Sequence, residues 1–456
     1  MNCLIGDTEQ LIDNDMLLCT APNPSTRNNQ TTRSGTSVPS TIFLIVNATL
    51  GAGLLNFPQA FDKADGLVTS ISIQIFFLVF ITAALVILAN CSDITNTSTM
   101  QDMFAKFYGT KSLFLCAFCI MIYSFGCCLT FLIIIGDQFD RVLATYYGLD
   151  YCHTWYLSRT FVTAVICTLC ILPLCFFKRL DVLSYASSIG CITILYVVSL
   201  IVYKKFANSE SLVNPMKIWP DSGYEAFQIV PIICFAYQSH MTAIPMYACM
   251  KERNITKFTL CATASMIICF IAYTVVGIFG YATFGAGKVP SDILQGYTDK
   301  SVFVTLAIIF IAIKNFTTYP IVLYCGRDAL LSILRMDINV TFKFRAFITV
   351  IWYILSLVIA ILVPDISPVI NLLGSLSAAF IFIFPGICLF QSTLLKDSEL
   401  HLNKDRLLIF FAVLIIALGA FVTGVVLVEA IQDLNITPKK SPLVNGFRQL
   451  RENLCS

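Results

Sequence analysis

The sequence predicts an all-α polytopic membrane protein, and three observations carry that expectation. The 456 residues are 57% hydrophobic and 12% charged, against about 25% charged in soluble domains. Eleven apolar runs follow one another, each near the ~20 residues that cross a hydrocarbon layer of ~30 Å. Two of these runs are interrupted at mid-depth by glycine, proline and polar side chains. A net charge of +2 carries no nucleic-acid footprint.

The first 39 residues are polar, with no apolar core before a cleavage site, so no cleaved signal peptide is predicted. They read as a disordered tail. The tail holds "DTEQLI" (Asp7 to Ile12) and "DNDMLL" (Asp13 to Leu18). Each is an acidic residue followed by two adjacent apolar anchors (Leu11 and Ile12, Leu17 and Leu18), resembling endolysosomal sorting signals that bind clathrin-adaptor proteins.

The spans are expected at 40–62, 67–90, 112–141, 157–177, 182–203, 224–247, 258–284, 302–325, 345–363, 367–394 and 406–431. "STMQDMFAKFYGTKS" between the second and third reads as a short amphipathic loop helix. Residues 432–456 form a second tail. The basic loops "FFKRLD", "KERNITK" and "FKFR" fall on one side if the spans alternate. That side is expected to be cytosolic and to hold the N-terminus. Most of the nineteen cysteines lie in apolar runs and read as plain membrane-helix residues. Cys152 and Cys455 alone fall in segments placed away from the cytosol, where a disulfide could form. Asn47 and Asn315 match the glycosylation pattern but lie at membrane depth and are discounted.

The interrupted runs carry the functional expectation. The first contains "NATLGAGLLNFPQAF" (47–61) and the sixth "IVPIICFAYQSHMTAIPMYACM" (229–250). An odd number of spans separates their starts, so a second block beginning at the sixth would be inverted. Paired breaks of this kind point to a transporter binding site. Non-helical backbone at membrane depth must line a cavity or be buried in protein. Gly51 and Gly53 permit an unwound turn, and Pro58 cannot donate a backbone hydrogen bond. Freed amides at Gly51, Ala52 and Gly53 suit a carboxylate, and freed carbonyls at Phe235, Ala236 and Tyr237 suit an ammonium. Together they fit the backbone of an amino acid; two kinked, tightly packed helices are the bland alternative.

The stretches "VNATLGAGLLNFPQAF", "FLIIIGDQFD", "ICFAYQSHMTAIPMY", "FTTYPIVLYCGRDAL" and "PDISPVINLLGSLSAAFIFIFPGICLFQ" resemble the sodium-coupled neutral amino acid transporters, solute carrier family 38, in the amino acid/auxin permease superfamily. The nearest subgroup is that of lysosomal member 7, with member 8 close. The likeness runs from about residue 40 to about 430 and leaves out both tails. It implies a LeuT-type fold: one repeat over 40–203 (helices 1–5), an inverted repeat over 224–394 (helices 6–10), and helix 11. It implies a lysosomal membrane location, with the plasma membrane as alternative. It also implies neutral substrates such as glutamine and asparagine, and a cation site between the first and eighth spans. Asn47 matches the family's sodium-linked asparagine; Thr318, with Thr317 beside it, matches its threonine before proline. Interhelical hydrogen bonding is the plain alternative for these residues.

Lys314 departs from the family pattern, where a small or polar residue stands. A mid-membrane lysine is costly and marks a functional site by default. One helical turn before Thr318, its ammonium could occupy or border the cation site and favour a proton over sodium as coupling ion. Alternatively it snorkels, or pairs with a buried carboxylate. His240 is a candidate pH sensor or a neutral, hydrogen-bonded histidine. Asp137 and Asp140 could move protons or form a gate ion pair with Arg141. No organic cofactor or enzymatic motif appears. The three histidines are far apart, and "GAGKVPSD" (285–292) has the wrong spacing for a phosphate loop. An amino-acid sensor using the same site is the second reading.

Overall fold

A computed structural model describes residues 35–147, 154–176, 181–207, 215–220, 225–297, 301–336, 341–363, 366–395 and 403–435. The proposed sorting signals, Cys152, Cys455 and most of the C-terminal tail lie outside them. Among the described residues the regular structure is helical, and one isolated bridge, Thr36 with Met250, is present.

In chain order the helices are α1 (Val38–Thr49), α2 (Gly53–Lys63), α3 (Leu67–Thr95), α4 (Met100–Tyr108), α5 (Thr110–Tyr147), α6 (Arg159–Cys175) and α7 (Asp181–Ala207). There follow α8 (Val230–Ala236), α9 (His240–Ala248), α10 (Ile255–Phe284), α11 (Ile293–Gly296), α12 (Val302–Ile333) and α13 (Phe342–Leu362). The last are α14 (Ser367–Ala378), α15 (Phe384–Leu394), joined by a π turn at Ala379–Ile383, and α16 (Asn403–Asn435). Nine helical runs among the described residues are long and apolar enough to cross a membrane. The pair α1 and α2, bent by 58°, adds a tenth, and α6 is an apolar helix of 17 residues. The short helix expected between the second and third spans is α4, capped by Thr99, whose hydroxyl accepts from Asp102 N.

Burial sorts these runs into inner and outer ones. The sixth and tenth are 78% buried, whereas α16 is 28% buried. An outer helix shows side chains such as Phe410, Val413, Phe421 and Val428, which only lipid can cover. The inner runs meet at the two breaks. A Cβ on Gly53 would lie 2.6 Å from that of Ala236, so glycine is what lets the interrupted spans touch. Behind this contact, Phe57 stacks on Tyr273 with ring centroids 4.5 Å apart, and Tyr237 leans on the same ring at 4.9 Å.

The prolines do not make the breaks. Pro58 lies inside α2 and Pro245 inside α9. The first break falls at Leu50–Ala52 and the second at Tyr237–Ser239, ahead of each proline. This corrects the role given to Pro58 from sequence. Pro58 is in the second turn of α2, where its missing N–H leaves out the bond to the Leu54 carbonyl, yet the helix runs on through it to Lys63.

Candidate functional site

The first break opens onto a small cavity. Its wall has a backbone side, Gly51 and Ala52, and three polar side chains, Thr193, Lys314 and Asn315. The remainder is aliphatic: Leu54, Leu55, Ile134, Ile194, Val197 and Ile311. The space open to the centre of a water molecule is about 20 Å³, room for about one water. An amino acid enters only if the walls move. Ala52 precedes α2 with no side-chain cap. The Gly51 amide donates to the Thr49 carbonyl at 2.8 Å, which corrects the expectation that it stands free, and the amides of Leu54 and Leu55 donate to the Gly51 and Ala52 carbonyls at 3.2 and 3.3 Å. The amides of Ala52 and Gly53 are left without a side-chain capping oxygen.

Lys314 reaches this break from α12. It is buried, and its ammonium donates to the carbonyl of Leu50, the residue that ends α1. It neither snorkels nor depends on a carboxylate for that contact. Thr317 and Thr318 turn back onto their own helix, each hydroxyl donating to the Lys314 carbonyl at 2.8 Å. Donation to that carbonyl leaves the lone pairs of both hydroxyl oxygens as acceptors. Asn47 is buried, and its Oδ1 has no hydrogen-bond partner among the described residues. A Cβ on Gly190 would come 2.1 Å from that oxygen and 3.5 Å from Lys314 Cε. Gly190 therefore makes the room in which Asn47 and Lys314 lie together.

The second break is filled by the protein itself. The Ala236 carbonyl accepts from the Tyr273 hydroxyl at 2.8 Å, and the Phe235 carbonyl accepts from Gln238 N at 3.3 Å. The expectation that these two carbonyls stand free is thus corrected: a tyrosine from α10 and a local turn occupy them. Phe235, Ala236 and Tyr237 lie outside the wall of the cavity that holds Gly51 and Ala52. Tyr273 also lies 2.8 Å from the Thr49 carbonyl, so one hydroxyl serves both breaks and can donate to only one of them at a time. The Tyr237 hydroxyl accepts from Gln74 at 2.6 Å. His240 is fully buried, with Nδ1 3.0 Å from Gln238 Oε1 and Nε2 3.2 Å from the Ile81 carbonyl. A neutral imidazole donates to only one of these two oxygens; the bond to Ile81 ties α9 to α3.

Each end of the bundle is closed. At one end the loop before α12 lies over Ala52 and Leu55. Asn56 donates to the Ser291 carbonyl at 2.8 Å, Arg141 to the Gln295 carbonyl at 2.7 Å, and Gln138 to Asp292. Burial pushes the Asp292 carboxyl up to about 7. Asp137 pairs with Arg159 at 2.6 Å. At the other end Thr36 pairs with the chain after α9: Thr36 N donates to the Cys249 carbonyl at 2.9 Å, and Lys251 N to the Thr36 carbonyl at 3.0 Å.

A helical bundle with a broken inner span, a buried cavity at the break and closures at both ends defines a multi-pass membrane transporter. The family model described as "Transmembrane amino acid transporter protein" matches residues 34–432. "Sodium-coupled neutral amino acid transporter 7" of Danio rerio is 36% identical over 423 residues, covering 90% of each chain. The human protein of that name is 35% identical, covering 88% of each. Mouse "Solute carrier family 38 member 8" is 30% identical, covering 76% of this chain and 83% of its own. The crystal structure of a manganese transporter of Eremococcus coleocola has a TM-score of 0.50 at 11% identity, covering 92% of this chain and 91% of its own; that likeness concerns the fold alone, which is LeuT-type. The chain belongs to the transmembrane amino acid transporter family, among the transporters of solute carrier family 38. It is an amino acid transporter and not an enzyme.

Several residues at the site had no sequence signal. Tyr273, Gly190 and Thr193 sit in apolar runs like any others. Asp292 and Gln138 meet only through the fold.

Proposed function

We propose that the protein is a secondary active transporter of neutral amino acids of the glutamine and asparagine kind, working by alternating access around the first break. The substrate carboxylate meets the uncapped amides at Ala52 and Gly53, and that of Gly51 once it leaves the Thr49 carbonyl. Its ammonium meets the carbonyls of the second break once Tyr273 releases the Ala236 carbonyl. Asn47, Thr317, Thr318 and Lys314 form the coupling region.

The observation that carries this reading is the Lys314 ammonium on the Leu50 carbonyl. A backbone carbonyl freed at the end of a half-helix is a ligand for a cation, and here a tethered ammonium takes it. The relatives are named sodium-coupled. In this chain the protonated lysine supplies the cation, and a proton gained and lost at Lys314 Nζ couples transport in preference to sodium. The test is uptake of labelled glutamine into proteoliposomes under separately imposed proton and sodium gradients, for the native protein and for Lys314→Ser. The expected result is proton-driven uptake in the native protein and a gain of sodium dependence in the variant. An equal sodium requirement in both overturns the reading.

The protein sits in the lysosomal membrane with its N-terminus cytosolic on this account, sorted by adaptor proteins that bind Asp7 to Leu18. Deleting residues 1–20 is expected to move it to the plasma membrane. A sensor using the same site is favoured by one observation: the chain just after the tail is hydrogen-bonded to the end of α9 through Thr36. Substrate-dependent motion of the sixth span would then reach the tail.

A further inference from the structure

We propose that Asn315 sets the side-chain selectivity of the site. Its amide nitrogen donates to the side-chain carbonyl of a substrate, so that glutamine and asparagine are preferred over aliphatic amino acids of similar size. The proposal rests on the reading above, that the cavity at the first break receives the substrate.

Asn315 is 3% exposed and lines the cavity. Its Nδ2 is buried with no hydrogen-bond partner among the described residues. A buried amide N–H₂ without acceptors costs free energy and is rare in a native protein. A purely structural asparagine on an inner helix would be bonded to a neighbouring helix, as Gln74 is to Tyr237. The residue before it, Lys314, has its ammonium on the break of the first span. Adjacent positions on a helix point about 100° apart. The α12 helix thus presents its charge to the break and its neutral donor separately.

The rest of the cavity narrows the ligand class. Among the described residues no carboxylate lines it, and Lys314 does, so a cationic side chain finds no counter-charge there and meets repulsion. An aliphatic side chain would fit Leu54, Leu55, Ile134 and Ile311 but leave Nδ2 unpaired. A neutral side chain that ends in an acceptor satisfies both the apolar wall and the donor. Thr193 is the other neutral polar side chain of the wall. Sites built to hydrogen-bond a substrate group reject analogues that lack it far more strongly than apolar pockets reject a missing methylene.

The experiment is competitive uptake of labelled glutamine and labelled leucine into proteoliposomes by the native protein, Asn315→Leu and Asn315→Asp. The second variant keeps the shape of the side chain and removes the donor. In both variants glutamine uptake is expected to fall by about 10- to 100-fold relative to leucine, with leucine uptake retained. Thermal unfolding of the purified variants confirms that they fold, and either variant suffices. Equal loss of both substrates overturns the proposal, because Asn315 then acts on the groups all amino acids share or on the fold. An unchanged ratio overturns it as well. A native protein that carries neither amino acid instead overturns the function reading, and the selectivity role falls with it.

Discussion

The two interrupted spans look alike in sequence and differ in the structure. The first bends by 58°, ends on a carbonyl held by a lysine from α12, and opens onto the cavity through Gly51 and Ala52. The sixth, within Glu225–Ala248, is interrupted over Tyr237–Ser239 without so sharp a bend and has its Ala236 carbonyl occupied by Tyr273. One break keeps the amides of Ala52 and Gly53 uncapped, and the other has its Phe235 and Ala236 carbonyls engaged internally, while Gln238 Nε2 and Ser239 Oγ have no partner among the described residues. The cost of orphaned backbone groups at membrane depth is met at one break by a charged side chain and at the other by a neutral hydroxyl. A ligand with an ammonium must displace the hydroxyl, and that exchange gives substrate a means of moving α10.

The largest effect is expected from filling the contact between the breaks. Gly53→Val adds atoms where even a Cβ lies 2.6 Å from that of Ala236. Overpacking of this kind costs about 1–3 kcal/mol, and here it also separates the two breaks. Uptake is expected to vanish while the folded protein remains detectable by size-exclusion chromatography. Retained uptake would mean that the close approach is not needed for transport.

Tyr273→Phe comes next. It keeps the stack on Phe57 and removes the hydroxyl shared by Thr49 and Ala236. One buried carbonyl is left unsatisfied, an expected loss of about 1–3 kcal/mol, read as a lower Tm. Because the substrate ammonium would supply that partner, saturating glutamine should restore more of the Tm in the variant than it adds to the native protein. Equal ligand shifts in both proteins would separate Tyr273 from the substrate site.

How far the site could be read from residues alone follows from these two regions. The apolar runs mark the spans because lipid demands them, and the first break is legible because two glycines and a polar residue have no other reason to interrupt such a run. Lys314 is legible for the same reason, being costly where it stands. The state of the second break is not legible. It depends on Tyr273, an ordinary aromatic residue in an apolar helix until the fold sets it between two carbonyls. Asn315 carries a glycosylation pattern that membrane depth discounts, and that its buried Nδ2 has no partner among the described residues is visible only in the fold. The prolines mislead because their effect depends on register: at positions 58 and 245 they fall after the breaks, inside α2 and α9.

The smallest effect concerns the loop that covers the first break. Asp292 faces Gln138 and Arg141 from α5, with Asp137 nearby, and burial raises its carboxyl from the usual 3.8 to about 7. A lifted, solvated loop returns the group to its ordinary range. Between those values the closed loop holds a proton that the open loop does not, so acid favours closure and closure weakens as pH rises through about 7. Asp292→Asn should flatten the pH dependence of uptake from that face between about pH 5 and about pH 8, leaving the maximal rate nearly unchanged. A pH profile identical to the native one would exclude Asp292 from gating.

The inequality of the two breaks is tested most directly by the structure of the protein with glutamine bound. The account predicts the carboxylate within about 3 Å of the amides at Ala52 and Gly53, the Tyr273 hydroxyl withdrawn from the Ala236 carbonyl, and the substrate ammonium in its place. Glutamine bound elsewhere, with Tyr273 still bridging Thr49 and Ala236, would contradict it.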